Sequence, residues 1–312
     1  MIFTLALNPC IDRTVFVSDF HVNGANAVLA SQEDVAGKGI NVASAAKALG
    51  LESICAAPEF QQNGWKLREF LDGQGILHQL FPTPGLLRTN IKILNEADGS
   101  YTELNEAGNA LHPDCLKQLL QAVEQFASKV TAIALCGSLP RQTSPEIYEK
   151  IILRLKSTQV PVLLDTSGEA LCLGVKALPQ LIKPNLEEFS ALCGIRFESR
   201  LQIAQEALRW HRKGIPYVCV SLGAEGALLA AEETVWYSPP LHLQIKGVQG
   251  AGDAMIAGFC MALEEKLPPP EMLRMAVAAA SASLERKGSL LCTKEGFEQM
   301  CHRVGIEKLE SA

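Results

Sequence analysis

From residue 113 to residue 237, short apolar runs of strand length alternate with longer amphipathic segments, and this constrains the fold more than any other feature. The spacing predicts helix 113–127, strand 132–136, helix 145–156, strand 160–165, a short helix 168–173 and strand 180–183. Helices 186–193 and 200–213 follow, then strand 217–221 and a hairpin pair, 227–231 and 234–237. Strands separated by helices cannot pair through tight turns. They must pair through crossovers, which gives βαβ units and a mostly parallel sheet covered by helices on both faces.

The flanking segments extend this plan. Residues 2–8 read as a buried strand ended by Asn8-Pro9. Asp12 follows just past its carboxyl end, where open α/β sheets place their ligands. Residues 14–20 and 26–33 are Thr/Val-rich and alternating, and 88–94 and 100–104 are strand-like and joined by a hairpin over 95–99. These four segments could form a separate small sheet. Strand 53–57, helix 65–71 ending at Gly73 and strand 76–80 lie between them, and helices 252–265, 270–286 and 294–303 close the chain. Neither an internal repeat nor a low-complexity linker interrupts it, so one domain over 1–312 is expected, with a small appendage.

Composition narrows the function classes. A formal net charge of −6 argues against nucleic acid or a membrane as partner, so an anionic substrate would need locally clustered cations. No apolar run approaches the roughly 20 residues of a membrane span. The opening Met-Ile-Phe-Thr-Leu reads as a strand starting at once rather than a targeting leader. Ten cysteines are scattered with no C-x-x-C pair, and Cys55, Cys136 and Cys219 sit in apolar strand-like runs. Buried reduced thiols, and hence a cytoplasmic location, are expected.

Two glycine-rich helix starts carry the chemistry. Gly250-Ala251-Gly252-Asp253 precedes an apolar run in which Met255, Phe259, Ala262 and Leu263 share one helical face. Unpaired N–H groups and the positive end of the helix dipole make such a start an anion site. An acid there would repel a bound phosphate, but it is well placed to take a proton from a hydroxyl attacking a phosphoryl group. From these residues alone, an ordinary aspartate-bearing helix cap remains equally open. A dinucleotide fingerprint would need glycine where Met255 stands. The second start, Ala36-Gly37-Lys38-Gly39-Ile40-Asn41, opens a helix ended by Gly50. It fails the Walker pattern, with Gln32 at the first glycine position and Gly39 after the lysine, and a tight turn with a solvated lysine is the plain alternative.

Together with Asn8-Pro-Cys-Ile-Asp12, Arg88-Thr-Asn90-Ile-Lys92, Gly137-Ser138-Leu-Pro140, Lys183-Pro-Asn185-Leu-Glu-Glu188 and Ser221-Leu-Gly223-Ala-Glu-Gly226, these motifs stand in the order and spacing of the PfkB, or ribokinase-like, carbohydrate kinases. The resemblance runs from residue 2 to about 303, and is strongest to the branch holding the 1-phosphofructokinases and tagatose-6-phosphate kinases. It implies a doubly wound α/β fold with a small β lid from segments of about 12–33 and 87–106, and homodimers formed lid to lid. It also implies phosphoryl transfer from ATP, with Mg²⁺, to a hydroxyl of a sugar phosphate.

The resemblance distributes roles as follows. Asp253 would be the base, and the N–H groups of Gly250, Ala251 and Gly252 would stabilise the transferring phosphoryl. Asp12, Gly37, Asn41, Asn90 and Ser138 would bind the sugar. Lys38 and Arg88 would hold its existing phosphate, Arg88 through a bidentate fork. Lys183, Asn185, Ser221, Gly223 and Gly226 would border the nucleotide, with Val277 and Ser281 leaving room for a purine. Glu188 would act on Mg²⁺ through water. The chain departs from the pattern at Ala36, where glycine is common, at Ala254, where serine is common, and at Leu87, where a threonine hydroxyl is expected near the substrate.

Lys38 and Arg88 point to a phosphorylated acceptor, because kinases of uncharged sugars have no phosphate to hold there. Fructose 1-phosphate is the expected acceptor and tagatose 6-phosphate the alternative. A non-catalytic sugar-phosphate sensor would not need Asp253, Asn185 and Glu188. A dinucleotide-dependent oxidoreductase would need the missing glycine fingerprint.

Overall fold

The structure is a computed structural model and describes residues 1–247, 249–286 and 291–309. In chain order its elements are β1 (Ile2–Ala6), β2 (Cys10–Val17), β3 (Val28–Ala36), α1 (Lys38–Ala48), β4 (Ser53–Gln62), α2 (Gly64–Gly73) and β5 (Leu77–Leu86). Next come β6 (Arg88–Asn95), β7 (Tyr101–Leu104), α3 (Pro113–Phe126), β8 (Ala132–Cys136), α4 (Ile147–Leu155), β9 (Val162–Asp165), α5 (Gly168–Gly174) and β10 (Leu181–Ile182). The remainder is α6 (Leu186–Cys193), α7 (Arg200–Arg212), β11 (Tyr217–Ser221), β12 (Ala227–Ala231), β13 (Thr234–Ser238), α8 (Ala251–Glu264), α9 (Pro269–Leu284), α10 (Lys294–Arg303) and β14 (Glu307–Leu309).

Ten strands form one sheet in the order β14-β13-β12-β11-β10-β9-β8-β1-β4-β5. The run from β5 to β11 is parallel, and β12 to β14 are antiparallel. Side chains alternate between its faces, as the pleat requires. On β8, Ile133 and Leu135 join a core built with α3, α4 and α7, while Ala132, Ala134 and Cys136 join one built with α1, α8, α9 and α10. The expected doubly wound α/β sheet, helices on both faces, is thus present. The chain order reverses between β1 and β8, so the crevice at their carboxyl ends is the switch point where such sheets bind ligands.

The second sheet has the order β3-β2-β6-β7, with β2 and β6 parallel. Its register puts Asp12 opposite Asn90, and Lys92 opposite Glu103, on the face toward the crevice. Of its strands, β2 begins earlier than its sequence signal, while β3 and β7 begin slightly later. Residues 14–20 and 26–33 were expected, but β2 starts at Cys10, pairing with Ala36 and Arg88, and carries Asp12 within the strand. β1 ends at Ala6, short of the expected residue 8, and the fixed φ of Pro9 suits the extended chain that follows it.

β4 and β5 run well past residues 57 and 80, through Pro58, Pro82 and Pro84. β5 is an edge strand, where a missing N–H costs no ladder bond. Strand 180–183 shrinks to two residues, and helix 145–156 starts two residues late, at Ile147. The three-residue β14 has too short a pattern to register in sequence.

Candidate active site

Two helix N-termini meet at the switch point. α1 begins after Gly37, whose φ of 121° favours glycine. Gly39 lies so close to β1 that a Cβ would stand 2.7 Å from the Leu5 carbonyl oxygen. This contact draws Lys38 and Asn41 over the end of β1. α8 begins after Gly250, which has φ 72°, and its first internal bond is Ala254 N–H to Gly250 O at 2.8 Å. The donors left free by the helix are therefore the N–H groups of Ala251, Gly252 and Asp253, with Gly250 as the N-cap.

Asp253 is 6% exposed, and its Oδ2 accepts a hydrogen bond from Asn41 Nδ2 at 2.7 Å. The two helix starts singled out in the sequence are thus joined by an amide–carboxylate bond. Burial lifts the Asp253 carboxyl from its usual 3.8 to about 6; the Lys38 ammonium opposes the shift and the Asp165 carboxylate reinforces it. That value suits a general base operating near neutrality.

Asp165, at the end of β9, was not singled out in the sequence. It is fully buried, with Oδ1 2.8 Å from Lys38 Nζ and Oδ2 3.5 Å from Lys183 Nζ. Burial pushes its carboxyl up, but Lys183 and Lys38 outweigh that and hold it below the usual range. Burial likewise pushes the Lys38 ammonium down, and Asp165, then Asp253 and Glu188, more than reverse the effect. Lys38, expected to hold a sugar phosphate, is thus committed to an interior carboxylate. Lys183, expected beside the nucleotide, lies under α8, with Nζ 3.2 Å from where a Gly252 Cβ would be.

The lid supplies the opposite wall. Asp12 Oδ2 is 2.6 Å from Lys92 Nζ, a nearly buried ion pair. Its Oδ1 accepts from Asn90 Nδ2 at 3.0 Å and from the Cys10 thiol at 3.4 Å. The Cys10 thiol is pushed up to about 12, chiefly by burial and then by Asp12, and stays protonated. Arg88 donates Nε and Nη2 to the Asn8 carbonyl, and Nη1 to Asn90 Oδ1 and the Glu106 carbonyl. Four of its five N–H groups can thereby be occupied, so a bidentate fork to a phosphate requires some of these bonds to be exchanged. Among the described residues Arg88 forms no ion pair, and its N–H groups meet only neutral acceptors.

Between these walls lies a cleft of about 420 Å³, bordered by Asp12, Gly37, Lys38, Asn41, Arg88 and Asn90, and also by Ser138, Glu188 and Gly250. Ser138 Oγ accepts from Asn8 Nδ2 at 3.2 Å. Asn185 and Glu188 form a reciprocal cap on α6: Asn185 Oδ1 accepts from Glu188 N–H at 2.7 Å, and Glu188 Oε2 accepts from Asn185 N–H at 2.9 Å. The cap occupies one carboxylate oxygen of Glu188.

Ser221 bridges to Asn185 at the end of β11, and the turn 223–226 follows directly. Gly226 has a packing role there, since a Cβ would overlap the Ser238 carbonyl oxygen at 2.0 Å. Val277 and Ser281 are buried on α9 and, like Asp253, Lys183 and Asn185, are not among the residues that border this cleft. Leu87, expected near the substrate, is fully buried in the core between α1 and α2.

Lys92 and Asp165 were both missed, although each leaves a trace in the sequence. Arg88, Asn90 and Lys92 alternate, so three successive positions on one face of β6 are polar. Val-Leu-Leu-Asp ends a buried strand on an acid. Glu103 and Asn105 also border the cleft, but nothing in their polar, exposed segment marks them.

Known proteins resemble this chain over nearly its whole length. The 1-phosphofructokinase of Rhodobacter capsulatus is 34% identical over 310 residues, covering 99% of this chain and 98% of its own. The 1-phosphofructokinase of Escherichia coli K12 is 29% identical over 304 residues, 97% of each chain. The solved structure of phosphofructokinase-2 from Escherichia coli in complex with potassium superposes with a TM-score of 0.90 at 27% identity, covering 97% of this chain and 98% of that one. A tetrameric inhibited form of the same enzyme gives 0.86. Residues 5–295 match the pfkB family of carbohydrate kinases. The chain accordingly belongs to the pfkB carbohydrate kinase family, a family of phosphotransferases.

Proposed function

We propose that the chain transfers the γ-phosphoryl group of ATP to fructose 1-phosphate, giving fructose 1,6-bisphosphate. The observation that carries the acceptor's class is Arg88, a guanidinium in the sugar end of the cleft that forms no ion pair among the described residues. An unpaired cation in a half-enclosed site favours an anion, here the phosphate the acceptor already bears. The names of the curated relatives supply the choice of fructose 1-phosphate.

Asp253, oriented by Asn41, takes the proton of the attacking hydroxyl, and the free N–H groups at the start of α8 receive the transferring phosphoryl. Asp12 and Asn90 hold sugar hydroxyls, with Gly37 and Ser138 alongside. Lys38 and Lys183 face the phosphoryl, and Asn185, Ser221, Gly223 and Gly226 border the nucleotide. Among the described residues no group of three or more acidic, histidine or cysteine side chains could hold a metal directly. A hydrated Mg²⁺ carried by the nucleotide fits the remaining carboxylate oxygen of Glu188, and its charge would offset that of the phosphates.

We further propose a homodimer through the lid, supported by the exposure of Val28, Leu29, Tyr101 and Leu104 on that sheet and its flank. Ten unpaired cysteines support a reducing, cytoplasmic location; among the described residues no helix is long and apolar enough to cross a membrane. The domain reading is a single kinase unit over 1–312 with its lid.

The deciding experiment compares kcat/KM for fructose 1-phosphate, fructose 6-phosphate, tagatose 6-phosphate and unphosphorylated fructose with ATP and Mg²⁺. Preference for fructose 1-phosphate by about tenfold or more is expected, a margin of about 1.4 kcal/mol in transition-state binding. Preference for either 6-phosphate reassigns the acceptor, and equal use of fructose overturns the phosphate-binding role of Arg88.

A further inference from the structure

Asp165 is a fully buried carboxylate to which the scheme above gives no task. Its two oxygens face two lysines that reach it from different elements, Lys38 from α1 at 2.8 Å and Lys183 from the end of β10 at 3.5 Å. Lys183 in turn lies against Gly252, and Lys38 lies within the field of Asp253. A carboxylate without water is costly unless paired, and a lysine is a flexible point charge unless held. We propose that Asp165 is a positioning residue for phosphoryl transfer, holding the ammonium groups of Lys38 and Lys183 beside the first turn of α8 and its base.

This inference rests on reading the chain as a kinase with Asp253 as base. In that setting the two ammonium groups would otherwise swing toward Asp253 and neutralise it. With Asp165 between them, two lysines meet two buried carboxylates, and Glu188 adds a third negative charge that acts on Lys38. The other titratable groups facing Asp165 are the Cys136 thiol on β8, the Cys219 thiol on β11 and the Tyr148 hydroxyl on α4. Burial pushes all three up, so they remain neutral near pH 7 and leave the two lysines and Asp253 as its charged neighbours.

The test uses Asp165→Asn, which removes the charge in place, and Asp165→Glu, which keeps the charge and displaces it. Asp165→Asn is expected to lower kcat about 100-fold or more, with KM values within a few-fold. The acid limb of its pH–rate profile should move down by about half a unit or more, because a negative charge that disfavours ionisation of Asp253 is gone. Asp165→Glu should lose kcat while keeping the limb in place. A purely structural role would reduce folding stability and leave the limb where it is.

A second readout needs no turnover: labelling of Lys38 by an amine-reactive reagent near pH 9, followed by peptide mass spectrometry. Labelling should rise about fivefold or more in Asp165→Asn, since the ammonium has lost its nearest acid. An unmoved limb, unchanged Lys38 labelling, or a raised Mg²⁺ requirement in place of a limb shift each overturns the proposal. Should Asp165→Asn not fold, wild-type kcat in Asp165→Glu overturns it alone. A wild-type protein inactive on every sugar phosphate refutes the kinase reading, while the labelling arm still decides whether Asp165 holds Lys38.

Discussion

Asp253→Asn should make the protein both less active and more stable, and the two effects share one cause. The Asp253 carboxyl is raised from 3.8 to about 6, chiefly because it is buried. A shift of about 2 units corresponds to roughly 3 kcal/mol between the protonation states. The sign follows from linkage. Below the unfolded value both states hold the proton and nothing is lost. As the pH rises through the folded value, the folded protein must carry a buried charge that the unfolded chain carries in water.

The cost is therefore complete above about pH 6, and Asn, isosteric and neutral, removes it. Its amide can still accept from Asn41 Nδ2, so the contact at 2.7 Å need not be lost. Urea unfolding followed by tryptophan fluorescence near pH 8 should show a gain of up to about 3 kcal/mol, shrinking below about 1 kcal/mol near pH 4. In the same variant kcat should fall by about 10²–10⁴, the usual contribution of a general base. Wild-type kcat should itself decline about tenfold per unit below roughly pH 6. A variant no more stable near pH 8 than near pH 4 would refute the burial argument, and one retaining more than about a tenth of kcat would refute the base.

Arg88→Ala should cost about tenfold to a hundredfold in kcat/KM for the sugar phosphate with the KM for ATP unchanged, and Arg88→Lys should recover only part, because a point charge cannot reproduce the fork. Equal losses for both substrates in initial-rate kinetics would instead make Arg88 a tie between lid and sheet. Glu188→Gln keeps a side chain able to complete the α6 cap, so it isolates the charge; the Mg²⁺ needed for half-maximal rate should rise, and an unchanged titration removes Glu188 from the metal. Lys92→Met strands the Asp12 carboxylate and should destabilise the lid by about 3–5 kcal/mol, seen as faster hydrogen exchange in β2 and β6. A loss under about 1 kcal/mol would mean that Asn90 and Cys10 suffice.

Periodicity and local chemistry determined much of this protein in sequence. The strand–helix alternation over 113–237 dictated a parallel sheet, because no short turn can join parallel strands. The two glycine-rich starts mark helix N-termini, and Asn41 and Asp253 stand in their first turns. What sequence could not state is which charges meet. Lys38 and Arg88 look alike as isolated cations; only the fold places Asp165, 127 residues further on, against the first and leaves the second without an ion pair among the described residues. Leu87 reads as a substrate-side departure from the motif, but at the junction of β5 and β6 it is turned into the core. Local patterns report the backbone a segment prefers and the face it buries. Pairings between distant strand ends depend on the order in which the sheet is assembled, and that order is a property of the whole chain.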